Sequence, residues 1–226
     1  MLVTRPEPGG SATAAILRDR GYVPVLAPCL MIEALPADLP SRCDAIVIAS
    51  AQALPGLPAA LHPIPLFAVG DATADRARRA GFQRVHSASG TATELAALVA
   101  RTLPKAASLL LPCGEGHSLD LTRALRSAGL KVTRRVVYRS SPATSLTPAA
   151  HAALDAEAID RVMIFSPATA KNFATLVNAA GLVKALRRAI AIAISPAAAV
   201  PLARLGFSAI RTAVSPDQDH MLSLLP

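Results

Sequence analysis

The residues able to do chemistry in this chain recur at the ends of short apolar runs. Ser50 closes the run Asp44–Ala49 and Ser166 closes the run Asp160–Phe165, and each stands directly before a helical stretch. A serine there caps the helix by accepting from its free N–H groups, and the same hydroxyl can meet a ligand. Gln52, in the first serine turn, can add an amide hydrogen bond. Gly70 and Thr73 form a second turn of this kind, matched later by Ser195 and Ala198, while the opening run leads into Thr4-Arg5-Pro6. Arg5 and Lys171 can pair with carboxylates, although a solvated position would suit either. Tyr138, one of two tyrosines, carries a phenol of ordinary pKa near 10, so at neutral pH it is protonated and able to donate. Packing over a linker is the other use of such a residue.

Other chemistries find little support. The three cysteines, Cys29, Cys43 and Cys113, are widely spaced and form no C-x-x-C or ligand grouping, so they read as thiols in a reducing compartment. His62, His86, His117, His151 and His220 show no ligand spacing, and no metal site is predicted. Gly114-Glu115-Gly116 has the look of a phosphate cradle but lacks both the G-x-G-x-x-G spacing and a following Lys-Ser/Thr, and reads as a tight turn.

What positions these residues is a duplication. Asp44–Ser50 leads to Val69–Asp75 and Gly81-Phe82, and Asp160–Ser166 leads to Ile194–Val200 and Gly206-Phe207. A fainter pair sets Met1–Pro6, Leu17 and Gly21 against Leu109–Gly114, Leu125 and Gly129. The order is A, B, A′, B′, an α/β unit copied once, which implies two lobes facing a cleft. Strands are expected at 2–4, 23–27, 45–49, 66–69, 84–86, 108–111, 132–138, 162–165, 190–194 and 209–212. Several are unbroken β-branched or leucine runs, the mark of a parallel sheet covered on both faces. Helices between them carry readable ends. Ser11 is expected to cap a helix closed by Gly21, and Thr91 with Glu94 forms a capping box. Ser118 opens a helix whose Leu121, Ala124, Leu125 and Ala128 share a face before Gly129. Ser166-Pro167, Thr147-Pro148 and Ser215-Pro216 each place a cap before an N1 proline.

Two segments break the rhythm, Pro28 to Pro40 and Tyr138 to Pro148. They read as paired linker strands, at about 28–36 and 136–142, crossing between lobes. The first lobe would then be discontinuous, about 1–33 with 142–226, and the second would be the inserted 36–137. The fold class is α/β, with doubly wound parallel sheets.

Of 226 residues, 52% are hydrophobic and 17% charged, enough apolar material for two cores and none of the bias of a disordered chain. The start Met1–Val3 runs into Thr4–Pro8 without a secretory apolar stretch. The longest apolar run, Ala189–Ala203, is interrupted by Ser195, Pro196 and Pro201 and is short of the ~20 residues that span a bilayer. A cytoplasmic protein with no membrane partner is expected. The formal charge of +8 points to an anionic partner. Its arginines are scattered over helix ends without interleaved aromatics, which argues against a nucleic acid.

In these features the chain resembles the uroporphyrinogen-III synthase family. The resemblance rests on Thr4-Arg5-Pro6, the serine turns at Ser50 and Ser166, Val69–Ala74 with Gly81-Phe82, Val137-Tyr138 entering the second linker, and Phe165-Ser166-Pro167, in that order and spacing. It implies two flavodoxin-like lobes joined by a two-stranded ladder. It implies a cofactor-free reaction in which hydroxymethylbilane loses water and ring D is inverted to give uroporphyrinogen III. The same substrate closes unaided to the type I isomer, so the protein must impose a shape on it. The linear tetrapyrrole carries eight carboxylates, and helix N-termini beyond parallel strands favour anions. The turns after Ser50, Gly70, Ser166 and Ser195 are thus expected to bind it, with Thr4, Arg5, Gln52, Thr73, Lys171 and Ala198, and Tyr138 becomes the acid assisting loss of the hydroxyl. One departure stands out, since the family's second copy often keeps the Gly and Thr that are here Ser195 and Ala198. Pro201 also disfavours a regular helix after that turn. The resemblance implies a monomer, with transient contact to the enzyme that makes hydroxymethylbilane. The rival reading is a two-lobed ligand-sensing domain without catalysis.

Overall fold

Alternation of inward and outward residues along each strand is what builds the layers. A computed structural model describes residues 1–226. In chain order the elements are β1 (Leu2–Val3), α1 (Gly9–Asp19), β2 (Val25–Leu26), β3 (Leu30–Ala34), β4 (Ala45–Ile48), β5 (Leu66–Ala68), α2 (Asp71–Arg79), β6 (Val85–Ser87), α3 (Ala92–Thr102) and β7 (Ser108–Gly114). There follow α4 (Leu119–Ser127), β8 (Lys131–Pro142), α5 (Pro148–Asp155), β9 (Arg161–Ile164), α6 (Pro167–Ala179), β10 (Ile190–Ala193), α7 (Pro196–Ala199), β11 (Ala209–Thr212) and α8 (Gln218–Leu222), with short 3₁₀ turns between some of them. The chain divides into two compact units, Met1–Met31 with Ser141–Pro226 and Ile32–Ser140.

In unit 1 the sheet runs β2-β1-β9-β10-β11, with every pairing parallel. Counted along the unit this is the flavodoxin order, 2-1-3-4-5. Leu2, Val162, Ile164, Ala191 and Ala193 point into one core, and Val3, Met163 and Ile192 point into the other. The period of two sends each strand's side chains to opposite faces, and helices cover both.

Unit 2 has the same spatial plan, β8-β7-β4-β5-β6, but its chain enters at the third position, making it a circular permutant of unit 1. Ile46, Ile48, Leu66 and Leu110 fill one face, and Val47, Phe67, Leu109 and Leu111 the other. Burying a ring such as that of Phe67 stabilises the sheet by about 1.5–3 kcal/mol. Beyond β8 the sheet carries one further strand, β3. As the chain advances from Cys29 to Leu35 its partner retreats from Ala143 to Val137, through Ala143 N–H to Cys29 O at 3.0 Å and Leu35 N–H to Val137 O at 2.9 Å. The ladder is therefore antiparallel, and the strands expected at 132–138 and about 136–142 form one continuous β8.

Several helix ends differ from expectation. α1 starts at Gly9, so Ser11 lies inside it, and the Ser11 N–H and hydroxyl both donate to the Glu7 carboxylate at 3.0 and 2.8 Å. Glu7 therefore does the work expected of Ser11. The last helix is capped by Asp217, which accepts from the His220 N–H at 2.9 Å, and not by Ser215. On α4 the buried face is Leu121, Thr122 and Leu125, while Ala124 and Ala128 are exposed. The capping box at Thr91 and the caps at Thr147 and Ser166 are as expected.

One side chain secures the place where the ladder meets unit 1. Asn172 Nδ2, on α6, donates to Cys29 O at 2.6 Å and to Ala143 O at 2.9 Å. Asn172→Ala should cost about 1–3 kcal/mol by leaving these carbonyls short of donors. The check is a urea melt, in which the midpoint falls at unchanged slope.

Candidate functional site

In an open parallel sheet, ligands meet the strand C-termini where the order reverses. In unit 1 that point lies between β1 and β9, and in unit 2 between β4 and β7. Thr4-Arg5 and Phe165-Ser166 occupy the first, Ala49-Ser50 and Pro112–Gly114 the second.

At the unit 1 point, Arg5 Nη1 donates to Gln218 Oε1 at 2.8 Å, and its guanidinium stacks 5.2 Å above the Phe165 ring. Thr13 Oγ1 donates to the same Gln218 oxygen at 2.8 Å, so α8 helps to aim the arginine. Ser166 Oγ accepts from Thr169 N at 3.1 Å and pairs with Thr169 Oγ1 at 2.8 Å, and Lys171 is exposed one turn further on. Ser195 caps α7 through Ala198 N–H at 3.3 Å. Two expected contacts are set aside as side-chain contacts. Thr4 is fully buried and its hydroxyl donates to Met163 O at 2.6 Å, linking β1 to β9. Ala198 is also fully buried, because α7 is a single turn that packs it inward before the chain passes into a 3₁₀ turn at Val200–Leu202.

At the unit 2 point there is an open pocket of about 450 Å³, lined among others by Ser50, Cys113, His117, Ser118, Arg123 and Tyr138. Ser50 caps its turn through Gln52 N–H at 3.3 Å. Gly70, at the N-cap of α2, has open space where a Cβ would stand, and Thr73 is half-buried one turn in. Neither lines the pocket.

Tyr138 is 6% exposed and packs into one core of the unit. Its hydroxyl makes no hydrogen bond within the protein, and no unsatisfied side-chain polar atom is sealed from solvent, so the phenol tip opens on the pocket. A register shift puts it there: Cys113 pairs with Val136 but Gly114 pairs with Tyr138, with Val137 as the extra residue. A one-residue shift exchanges the faces of a strand, which is how such irregularities re-aim side chains beside sites. The ring lies against Gly114, where a Cβ would stand 2.7 Å from Tyr138 Cε2 and Cζ and 2.9 Å from His117 Cδ2.

The loop after β7 is tied down by arginines. Arg134 Nε and Nη2 donate to His117 O at 3.1 and 2.9 Å. Arg139 grips Glu115 with Nε to Oε2 at 2.8 Å and Nη2 to Oε1 at 3.2 Å, which holds that carboxyl below its ordinary range. The reading of Gly114–Gly116 as a tight turn holds, with Gly116 at φ +74, but the turn also forms a wall of the pocket. His117 and Arg123 were not singled out from sequence. The faint repeat lays only Pro112-Cys113-Gly114 over Thr4-Arg5-Pro6, so it marks the strand end beside them but neither residue itself.

The three thiols are free and held in their protonated form. Burial pushes Cys29 up to about 12 and raises Cys43 and Cys113. The buried Cys29 thiol stabilises the fold below its ordinary pKa, and that contribution fades as pH rises from there towards about 12.

Two doubly wound units that share one strand plan define an α/β protein with an internal duplication. A family model described as Uroporphyrinogen-III synthase HemD matches residues 11–223. The chain belongs to this family of cyclising lyases of tetrapyrrole biosynthesis, which make uroporphyrinogen III from hydroxymethylbilane. Its fold is similar to that of uroporphyrinogen-III synthetase from Helicobacter pylori, at 19% identity over 99% of this chain and 96% of that one, with a TM-score of 0.61. A mutant uroporphyrinogen III synthase from the extremely thermophilic bacterium Thermus thermophilus gives 18% identity over 98% and 95%, with a TM-score of 0.50. No curated protein sequence matches the chain. Nothing in these findings favours the ligand-sensing alternative. No helix is long and apolar enough to cross a membrane.

Two outcomes follow from the packing. Gly114→Ala should destabilise unit 2 by about 1–3 kcal/mol, as overpacking does, and should speed nitration of Tyr138 relative to Tyr22 by displacing its ring. At pH 8 the folded protein should keep Cys29 unmodified by a disulfide reagent, whereas the urea-unfolded chain should yield all three thiols.

Proposed function

We propose that Tyr138 supplies the proton that lets the substrate hydroxyl leave as water, while strand-end turns hold the carboxylates and impose the inverted closure. The observation that carries this is a nearly buried phenol whose hydroxyl has no partner in the protein and opens on a pocket at the strand-order reversal of unit 2. A neutral phenol can donate as the carbon–oxygen bond breaks, and the leaving hydroxyl departs as water. The pyrrole nitrogens stabilise the cation left behind, so the acid is asked for little. The conjugate phenolate regains a proton when the unsubstituted α-carbon of ring D, having bonded to carbon in the closure, loses its hydrogen.

The reading assigns Arg5, Ser166, Lys171 and Ser195 in unit 1, and Ser50, Gln52, Gly70 and Thr73 in unit 2, to carboxylate and amide contacts. What supports it is their place at strand ends, where cations, caps and free N–H groups favour anions. We take the enzyme to act as a cytoplasmic monomer without metal or cofactor. Because unassisted closure wastes the substrate, direct receipt from the enzyme that makes hydroxymethylbilane would be an advantage.

The test couples the protein to hydroxymethylbilane production and separates the isomers. Type III product is expected, and type I alone would overturn the reading. Tyr138→Phe should lower kcat by about 10- to 100-fold, near the lower end of general-acid contributions, and should still give type III. Complete loss of activity in a folded variant would contradict so modest a role.

A further inference from the structure

The two copies of the first α/β segment treat one glutamate in opposite ways. The repeat that aligns Leu17 with Leu125 and Gly21 with Gly129 also aligns Glu7 with Glu115, and it sets Ser11, in the first turn of α1, against Leu119, the first residue of α4. In unit 1 the Glu7 carboxylate covers the N-terminus of α1 by accepting from Ser11 N–H and its hydroxyl. In unit 2 Arg139 holds Glu115 in a two-pronged grip, and the first turn of α4 has no side-chain cap, its N-cap Ser118 lying in the left-handed region at φ 63. That turn forms a wall of the pocket onto which the nearly buried, unpartnered Tyr138 hydroxyl opens.

We infer that the N–H groups opening α4, with Arg123, form a carboxylate station beside Tyr138, kept open because Arg139 draws Glu115 away. This rests on the reading that Tyr138 meets the reacting end of the substrate. An acetate or propionate of the pyrrole that bears the leaving hydroxyl is the ligand of matching chemistry. A carboxylate in unit 1's own α1 turn shows that this geometry accepts one. The charged neighbours set the sign of each test. Arg123 favours an anion, but it is now paired with Asp120 at 2.9 Å, with both side chains largely exposed. Such a pair holds weakly and can exchange partners. Asp120 opposes an anion. His117 stands at the rim, and Arg134 is occupied in tying the loop.

Kinetics on the full chain with enzymatically supplied hydroxymethylbilane, with isomers separated, test the station. Arg123→Ala should raise KM about 5- to 10-fold, less than the full worth of a hydrogen-bonded charge because Arg123 is largely exposed and screened, with kcat within about twofold. Asp120→Asn should lower KM. Arg139→Gln should raise KM by freeing Glu115 to cover α4, and adding Glu115→Gln to Arg139→Gln should restore it. In labelled protein, a monopyrrole carrying one acetate and one propionate should shift the amide signals of Leu119, Asp120 and Leu121. The station is refuted if that titration leaves these amides unmoved, or if Arg139→Gln and its double variant share one KM. Type III formation under that outcome would leave the family reading standing, whereas type I alone from the unaltered protein would remove the reading beneath it.

Discussion

Sealing both faces of each parallel sheet is the constraint from which the rest follows. Leu2, Val162 and Ile164 on one side of unit 1 and Val3, Met163 and Ile192 on the other leave no sheet face for a ligand. Polar backbone is then open only at strand ends, where helix N-termini also gather positive charge. The candidate site residues stand at those turns, and the same arrangement explains why Ser50, Ser166 and Ser195 are caps. A hydroxyl such as that of Ser166 first satisfies its own helix and only then has capacity for a guest.

Duplication supplied two such sets, and the permuted connectivity made them unequal. Unit 1 contains the first and last quarters of the repeat and unit 2 the middle ones, so the two sheets share a strand plan but differ in where the chain enters. The ladder of β3 and β8 arises at the crossing points, and β8 serves both as a sheet strand and as half of that ladder. A register shift within β8 turns Tyr138 towards the pocket.

Equivalent residues of the two copies are used differently. Thr73 is half-buried at the start of α2, whereas Ala198 is sealed inside unit 1 beneath a helix cut to one turn. Glu7 closes a helix end that Glu115 leaves open. In each case a side chain has been exchanged or redirected while the strand plan was kept.

From the amino-acid order alone came the α/β class, the ten apolar strands and most caps, because strand periodicity and capping are local and leave their mark within a few residues. The repeat A, B, A′, B′ also carried the plan of two similar sheets. The helix starts governed by Glu7 and Asp217 are misread from sequence, since an acid outside the helix can take over from the nearest Ser-Pro or serine. Only the tertiary structure decided which hydroxyls are free. Thr4 looked available but is spent on Met163, and Tyr138, read either as a proton donor or as linker packing, packs into a core and also lines a pocket. The pairing of Cys113 with Val136 and of Gly114 with Tyr138 depends on two strands far apart in the chain. No local pattern can announce such a register, because it is set by the packing of residues that meet only when the sheet has formed.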